Sequence, residues 1–269
     1  MKKIFALILA LTLVLSLAAC GGKTETADKT IKVGASPAPH AAILEEAAKL
    51  LEKDGYTLEI VEFDDYILPN TALDEGELDA NYFQHITYMN DVNESKGTHM
   101  VSAAGIHYEP FGIYAGKTAA LADLADGASI AVPNDATNEG RALLLQQQEG
   151  LITLKEGAGI TPTKDDIAEN PHNYDIVETK AELLTTVLQD VDIAVINGNY
   201  AIGAGLQVKD ALAVESADGA AATAYVNVVA VKEGNENSEK IQALVKALKS
   251  AEVKTFVETT YEGAVVIVD

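Results

Sequence analysis

The chain has one cysteine, no tryptophan and one arginine in 269 residues. A lone Cys20 leaves no material for a disulfide framework or a CxxC metal site. Basic residues are scarce as well: 19 lysines and arginines stand against 41 acids, for a formal charge of −22. Such a chain repels nucleic acid and offers no basic patch to an anionic lipid surface. There is no GxSxG elbow, no Walker loop and no HExxH or HxH pair, so the common hydrolase, nucleotide and zinc-protease signatures are missing. Asp64 and Asp65 could supply paired carboxylates to an extracellular enzyme, but adjacent acids mean little where acids are so frequent.

What is present begins with an address. Lys2 and Lys3 precede an apolar run from Ile4 to Leu17 that is too short to span a bilayer comfortably. The run ends in Leu17-Ala18-Ala19-Cys20, a small-residue cleavage pattern with cysteine at the start of the mature chain. This predicts a lipoprotein signal peptide over 1–19 and lipidation of Cys20; an ordinary signal peptide with an incidental cysteine is the plainer alternative. Each buried acyl methylene would contribute about 0.8 kcal/mol of anchoring. Gly21 to Lys29 is Gly, Thr, Lys and acid without an apolar period, so 20–29 reads as a lipidated flexible tether. The body is then extracytoplasmic, on the outer face of the cytoplasmic membrane if the cell is Gram-positive.

Beyond the tether, short β-rich runs alternate with helical patterns. Ile31 to Ala35 reads as a strand, and Ala41 to Leu51 as a helix whose Ile43, Leu44, Ala47, Ala48 and Leu51 share a face. Leu58 to Val61, Leu78 to Phe83, His99 to Ala104, Phe111 to Ala115, Ile130 to Val132, Tyr174 to Val177 and Ile193 to Ile196 continue the strands. Helices are expected over about 137–149 and from Lys180 to Gln189. Ala224 to Val231 is a late strand, and Ser238 caps a last long helix. Repeated βα units predict a mainly parallel, helix-covered α/β sheet. Extended stretches around Pro110–Ala115 and Tyr225–Val231 read as crossings between two lobes. Lobe I would hold 30–112 plus 226–269 and lobe II 113–225; a single open sheet is the alternative.

Arg141 is chemically the most pointed residue. A guanidinium grips a carboxylate through a planar fork that lysine cannot reproduce. It follows a strand in Pro133-Asn134-Asp135-Ala136-Thr137-Asn138-Glu139-Gly140-Arg141, near a helix start whose free N–H groups favour anions. A ligand-facing arginine should have no protein partner in the empty state, whereas a surface ion pair would bind an acid permanently. A second cluster, Asn81-Tyr82-Phe83-Gln84-His85, can build an apolar pocket with orienting hydrogen bonds, although alternation should send Tyr82 or Phe83 into the core. Asn197 follows an apolar strand and Asn227 lies within one, so each needs a partner, from the backbone or from a zwitterion. The five histidines, chiefly His40, His85 and His107 with Glu109, invite a metal reading, since each could come from the end of a different strand; solitary histidines are more often pocket or surface groups than ligands.

These residues carry a resemblance. Val33-Gly34-Ala35-Ser36-Pro37-Ala38-Pro39-His40, Glu62 to Asn70 (Glu-Phe-Asp-Asp-Tyr-Ile-Leu-Pro-Asn), Leu78 to His85, Pro133 to Asn138 and Ala194 to Asn197 together resemble the NlpA/MetQ family. These are methionine-binding lipoproteins of bacterial ABC importers. The resemblance implies a two-lobed, type II periplasmic-binding fold with the ligand cleft between lobes. It implies that Arg141 holds the ligand carboxylate and that Asn197 and Asn227 bond the amino-acid head. Tyr66, Phe83 and His85, with Tyr82, would line the side-chain pocket, where sulfur packs well against aromatic rings. The expected function is that of a monomeric solute-binding protein without cofactor or catalysis, passing methionine, a methionine derivative or a short peptide to a permease and its ATPase. Two features depart from the family pattern: Ala136 where proline is common, and a long small-residue stretch from Ser216 to Thr223.

Overall fold

The computed structural model describes residues 29–216 and 223–268. Cys20, the signal segment and most of the Ser216–Thr223 stretch lie outside the described residues. Along the chain come β1 (Thr30–Ala35), α1 (Ala42–Lys53), β2 (Thr57–Glu62), α2 (Leu68–Glu75), β3 (Ala80–His85), α3 (Ile86–Lys96) and β4 (Met100–Tyr108). Then follow β5 (Gly112–Ala115), β6 (Ser129–Pro133), α4 (Ala136–Gln148), β7 (Thr153–Leu154), β8 (Ile167–Glu169), β9 (Asp175–Thr179), β10 (Ile193–Ile196), α5 (Gly198–Gly203) and β11 (Ala213–Val214). The last elements are β12 (Val226–Lys232), α6 (Glu239–Leu248), α7 (Ala251–Tyr261) and β13 (Val266–Ile267).

The strands form two principal sheets, ordered β13-β4-β12-β3-β1-β2 and β11-β5-β10-β6-β9. This is the two-lobed α/β architecture, with a first sheet that draws on both ends of the chain. The chain leaves the first sheet at Glu109–Phe111, between β4 and β5, and re-enters it at β12. The expectation of mainly parallel sheets is corrected. β1 pairs in parallel with β2 and β3, and β6 with β9 and β10. β5 and β12, the first strands after each crossing, pair antiparallel with their neighbours, because each enters its sheet from the opposite lobe.

Each lobe buries its own apolar set. Ile31, Val33 and Tyr82 pack under Ile43, Leu44 and Leu51 of α1 and under Ile241, Leu244 and Val253 of α6 and α7. Phe111, Ile113, Ile130 and Val195 pack under Leu143 and Leu145 of α4. The 3.6-residue spacing of the apolar positions in α1 puts Ile43, Leu44, Ala47 and Leu51 inside.

The helix expected from Lys180 to Gln189 is instead two short 3₁₀ turns, Ala181–Leu183 and Leu188–Asp190. Thr185 and Thr186 fall in its middle, and the Thr186 hydroxyl donates to the Leu183 carbonyl, a local bond that competes with helix continuation. The last helical pattern is two helices, α6 and α7, with Ser250 capping the second through the Val253 N–H.

Candidate functional site

The ends of β3, β4 and β10 and the start of α4 converge between the two sheets on a small, largely enclosed cavity. Arg141, Asn138, Asn197, Glu109 and Asn227 line one part of it, and Tyr66, Phe83 and Tyr88 another. The arrangement follows the general placement of ligands beyond the carboxyl ends of strands in open α/β sheets.

Arg141 is the sixth residue of α4, one turn further in than expected, and is 4% exposed. Asp135 caps the helix, accepting from the Asn138 N–H at 3.0 Å, so the free N–H groups are satisfied by the chain's own carboxylate. Ala136 takes the first helical position, where proline is best tolerated, so the departure from the family pattern leaves the helix start intact. The arginine is also not free. Its Nε donates to Glu215 at 3.0 and 3.1 Å, and its Nη2 donates to Glu215 Oε2 at 2.6 Å and to the Glu109 carbonyl at 2.8 Å. The guanidinium lies 4.2 Å from the ring centre of Tyr225 and 4.8 Å from that of Phe111. Nη1 has no bond to a described residue, and the Arg141 side chain reaches the cavity.

His85 ends β3 and caps α3. Its Nδ1 accepts from the Tyr88 N–H at 3.0 Å, which makes Nε2 the protonated nitrogen, donating to Asn138 Oδ1 at 3.1 Å. Asn197 Nδ2 donates to the same Asn138 oxygen at 2.8 Å. Asn138 Nδ2 in turn donates to both oxygens of Asp135. These bonds fix every amide orientation and leave one acceptor over: Asn197 Oδ1 is buried with no donor among the described residues. Burial, reinforced by the Arg141 charge, pushes the His85 pKa down to about 3, so the ring is neutral.

Phe83 sits at a β-bulge. Tyr82 pairs with Val229 and Gln84 with Val228, so Phe83 has no cross-strand partner and the side-chain alternation is reset. Gln84 thereby joins Asn81 in a buried amide cluster around Asn70. Phe83 reaches the cavity, where its ring centre lies 5.8 Å from that of Tyr66. Tyr66 also lies 5.8 Å from Tyr88, and its hydroxyl donates to Asn199 Oδ1 across the cleft at 2.5 Å. Tyr82 does not line the cavity: it is fully buried in the first lobe, with its hydroxyl on His107 Nδ1.

Three of the four proposed metal ligands do meet, with ligand atoms of His40, His107 and Glu109 within 4.8 Å of one another. Hydrogen bonds already occupy both nitrogens of each ring. His107 Nε2 faces Glu109 Oε1 at 2.7 Å and its Nδ1 faces the Tyr82 hydroxyl. His40 Nε2 faces Asn227 Oδ1 at 3.1 Å and its Nδ1 faces the Ser36 hydroxyl at 3.3 Å. Burial lowers the His40 pKa to about 4 and that of His107 to about 3, while it raises that of Glu109. His85 is committed to Tyr88 and Asn138 and stands outside the group. Asp65, the better placed of the adjacent acids, is spent capping the Ile67 and Leu68 N–H groups.

The NlpA lipoprotein family model matches residues 31–268. The chain belongs to that family. Methionine-binding lipoprotein MetQ of Bacillus subtilis (strain 168) is 41% identical over 272 residues, covering 98% of each chain. Membrane lipoprotein TpN32 of Treponema pallidum (strain Nichols) is 40% identical over 241 residues, 89% of this chain and 88% of that one. A nutrient binding protein from Burkholderia cenocepacia, solved bound to methionine, superposes with a TM-score of 0.85 at 44% identity, covering 89% of this chain and all of its own. A lipoprotein from Ruminococcus gnavus superposes with a TM-score of 0.88 at 57% identity over 90% of this chain and all of its own. No helix among the described residues is long and apolar enough to cross a membrane.

In this NlpA-family chain the site brings together Arg141, Asn197, Asn227, Tyr66, Phe83 and His85. Sequence reasoning missed Tyr88, Asn138, Asn199 and Glu215, and took Glu109 only as a metal candidate. Asn138 could have been found from its place three residues after a helix-capping aspartate. Tyr88 could have been found from its place three residues after His85.

Proposed function

We propose that the chain is an extracytoplasmic, lipid-anchored solute-binding protein that encloses methionine or a close relative of it between two lobes. One lobe would hold 30–112 plus 226–269 and the other 113–225. The observation that carries this reading is the polarity of the cavity. One part offers Arg141 Nη1 as donor and the unpaired Asn197 Oδ1 as acceptor, a match for a zwitterion, while three aromatic rings offer a thioether an apolar wall. Asn227 adds to the head-group end: its Oδ1 is turned to His40, which leaves its Nδ2 as a donor beside the cavity. The methionine-bound relative at 44% identity supports the same ligand class.

Direct bonds join the lobes at His85–Asn138, Tyr66–Asn199 and Tyr200–Asp64. A ligand touching both sides adds to these contacts and favours the closed form, which a permease with its ATPase would receive. Cys20 would carry the acyl anchor, and the protein would act as a monomer that carries its ligand without transforming it. Native mass spectrometry of protein purified from rich medium, followed by calorimetric titration of stripped protein with methionine, tests the reading. A retained mass of methionine and saturable heat are expected. A stoichiometric transition metal with no response to methionine overturns it in favour of the His40, His107 and Glu109 group.

A further inference from the structure

We infer that the ligand's ammonium, held by Glu109 and Asn197, is the head group this site requires, and that a charged carboxylate on the ligand is dispensable. The inference rests on the binding function proposed above and orders the ligand chemistry within it.

The guanidinium expected to provide the site's positive charge is already neutralised. Glu215 takes the Nε–Nη2 edge of Arg141 with two oxygens, and the Tyr108 hydroxyl holds the same carboxylate in place. The pair is buried, Arg141 at 4% and Glu215 at 9% exposure. A ligand carboxylate arriving at Nη1 gains hydrogen bonds, but from a cation whose field is largely cancelled at its other edge.

Glu109 is in the opposite condition. Its side chain is buried and lines the cavity. Arg141 touches the main-chain carbonyl of Glu109, and no lysine or arginine among the described residues forms an ion pair with its carboxylate. The imidazoles beside that carboxylate have hydrogen bonds that fit the neutral form: His107 donates to it from Nε2, and His40, whose Nε2–H serves Asn227, stands 3.4 Å away, so neither supplies charge. A buried carboxylate whose nearest cation, Arg141, touches only its main-chain carbonyl is costly, and a cation entering the cavity beside it relieves that cost. Asn197 Oδ1, unpaired in the same cavity, gives the cation a second acceptor.

The backbone is adapted to this placement. A Cβ on Gly198 would lie 2.7 Å from Glu109 Cβ and 2.8 Å from Oε2, so only glycine lets the Glu109 carboxylate settle against the start of α5, one residue from Asn197.

The test is calorimetric titration of ligand-stripped, full-length protein at neutral pH with three compounds. These are methionine, methioninol (ammonium kept, carboxylate replaced by a hydroxymethyl group) and 4-(methylsulfanyl)butanoate (carboxylate kept, ammonium absent). Both analogues are no bulkier than methionine at the altered end. Methioninol should bind within about tenfold of methionine, and the butanoate more than about a hundredfold more weakly. Glu109→Gln should narrow the gap by weakening methioninol and sparing the butanoate. Because the ranking is read on the unaltered protein, it stands whether or not that variant folds. Methionine binding with the analogue order reversed, or with equal losses, overturns the ammonium assignment alone. Failure of methionine itself to bind overturns the function it rests on as well.

Discussion

Arg141 is bound to Glu215 by a buried, two-oxygen, side-on ion pair, with Nε and Nη2 committed and Nη1 without a hydrogen bond to a described residue. The two readings of the arginine, a surface ion-pair residue or a ligand clamp, are therefore combined in one side chain. The expectation that a ligand-facing arginine lacks a protein partner is corrected, and its consequences change with it. Arg141→Ala should weaken methionine binding well over tenfold, because the Glu215 carboxylate left without its cation then repels the ligand's own carboxylate. It should also destabilise the ligand-free protein, because Glu215 is left buried with no cation. Removing one partner of such a pair costs about 3–5 kcal/mol, and 3 kcal/mol corresponds to a fall in Tm on the order of 6–12 °C for a domain of this size. Arg141→Lys should fall between, keeping the charge and losing the fork. Calorimetry with ligand and apo melting curves measure both effects. An unchanged apo Tm in Arg141→Ala would mean that the Glu215 pair contributes nothing.

Phe83→Ala tests the aromatic wall. The ring has no cross-strand partner to lose and faces the cavity with Tyr66, so the fold should survive the change. A thioether ligand should lose about 0.3–1.5 kcal/mol from the missing sulfur–aromatic contact before lost burial is counted. Alanine, which cannot reach the wall, should be affected less. Competition titrations with the two amino acids give the comparison, and equal losses would place Phe83 in the general packing instead of the side-chain pocket.

What was legible in the sequence depended on how local its cause is. Arg141 stood out by composition, and Asn197 by following an apolar strand. Glu215 did not, being one of 41 acids and 74 residues from its partner; only the return of the chain toward β12 brings them together. The core position of Tyr82 was open because a period-two pattern cannot reveal the bulge at Phe83, which shows only when β3 is laid against β12. Apart from the two-residue edge strands β11 and β13, which were not read, the strands of both sheets were read within a few residues, since each is a short β-branched run between turn residues. Their direction was not, because antiparallel pairing of β12 follows from the crossing between lobes and leaves no mark in hydropathy. The supposed helix at 180–189 had the apolar spacing of a helix but also Thr185 and Thr186 in its middle.

His85 makes stability depend on pH. Its folded pKa, about 3, lies below the ordinary 6.5 because burial disfavours the charged ring and Arg141 repels it. The stabilisation is therefore complete above pH 6.5 and is lost as pH falls toward 3, where the unfolded chain takes a proton the native ring refuses. His40 and His107 act with the same sign, and the raised pKa of Glu109 opposes them in acid. His85→Asn keeps a good helix-capping residue and removes one titrating ring. Between pH 6 and 5 its unfolding free energy should fall less steeply than that of the unaltered protein, by about 1 kcal/mol per pH unit. Denaturant titrations at several pH values measure the slopes, and equal slopes would show that His85 titrates normally.

Cys20→Ser tests the anchor separately from the fold. Lipidation needs the thiol, while the body from Thr30 onward packs its own two cores, so the variant should appear in the soluble fraction with an unchanged melting curve. Retention in the membrane fraction after a salt wash would refute lipidation at this residue.

Gly198→Ala asks whether the close approach of Glu109 to α5 matters to the ligand. The added methyl would stand 2.7 Å from Glu109 Cβ and 2.8 Å from Oε2, distances that real Cβ contacts do not show, so the Glu109 side chain must move. Alanine itself suits a helix better than glycine by about 1 kcal/mol, and Gly198 has no positive φ to make the backbone resist the change. The substitution therefore displaces one carboxylate while leaving the local helix intact. Binding of methionine should weaken at least tenfold, about 1.4 kcal/mol or more, and circular dichroism should be unaltered. The loss should be larger for ligands that carry an ammonium than for the carboxylate-only analogue. If Gly198→Ala binds methionine as well as the unaltered protein, the Glu109 carboxylate either yields without consequence or takes no part in holding the ligand, and Asn197 Oδ1 alone would have to receive the ammonium.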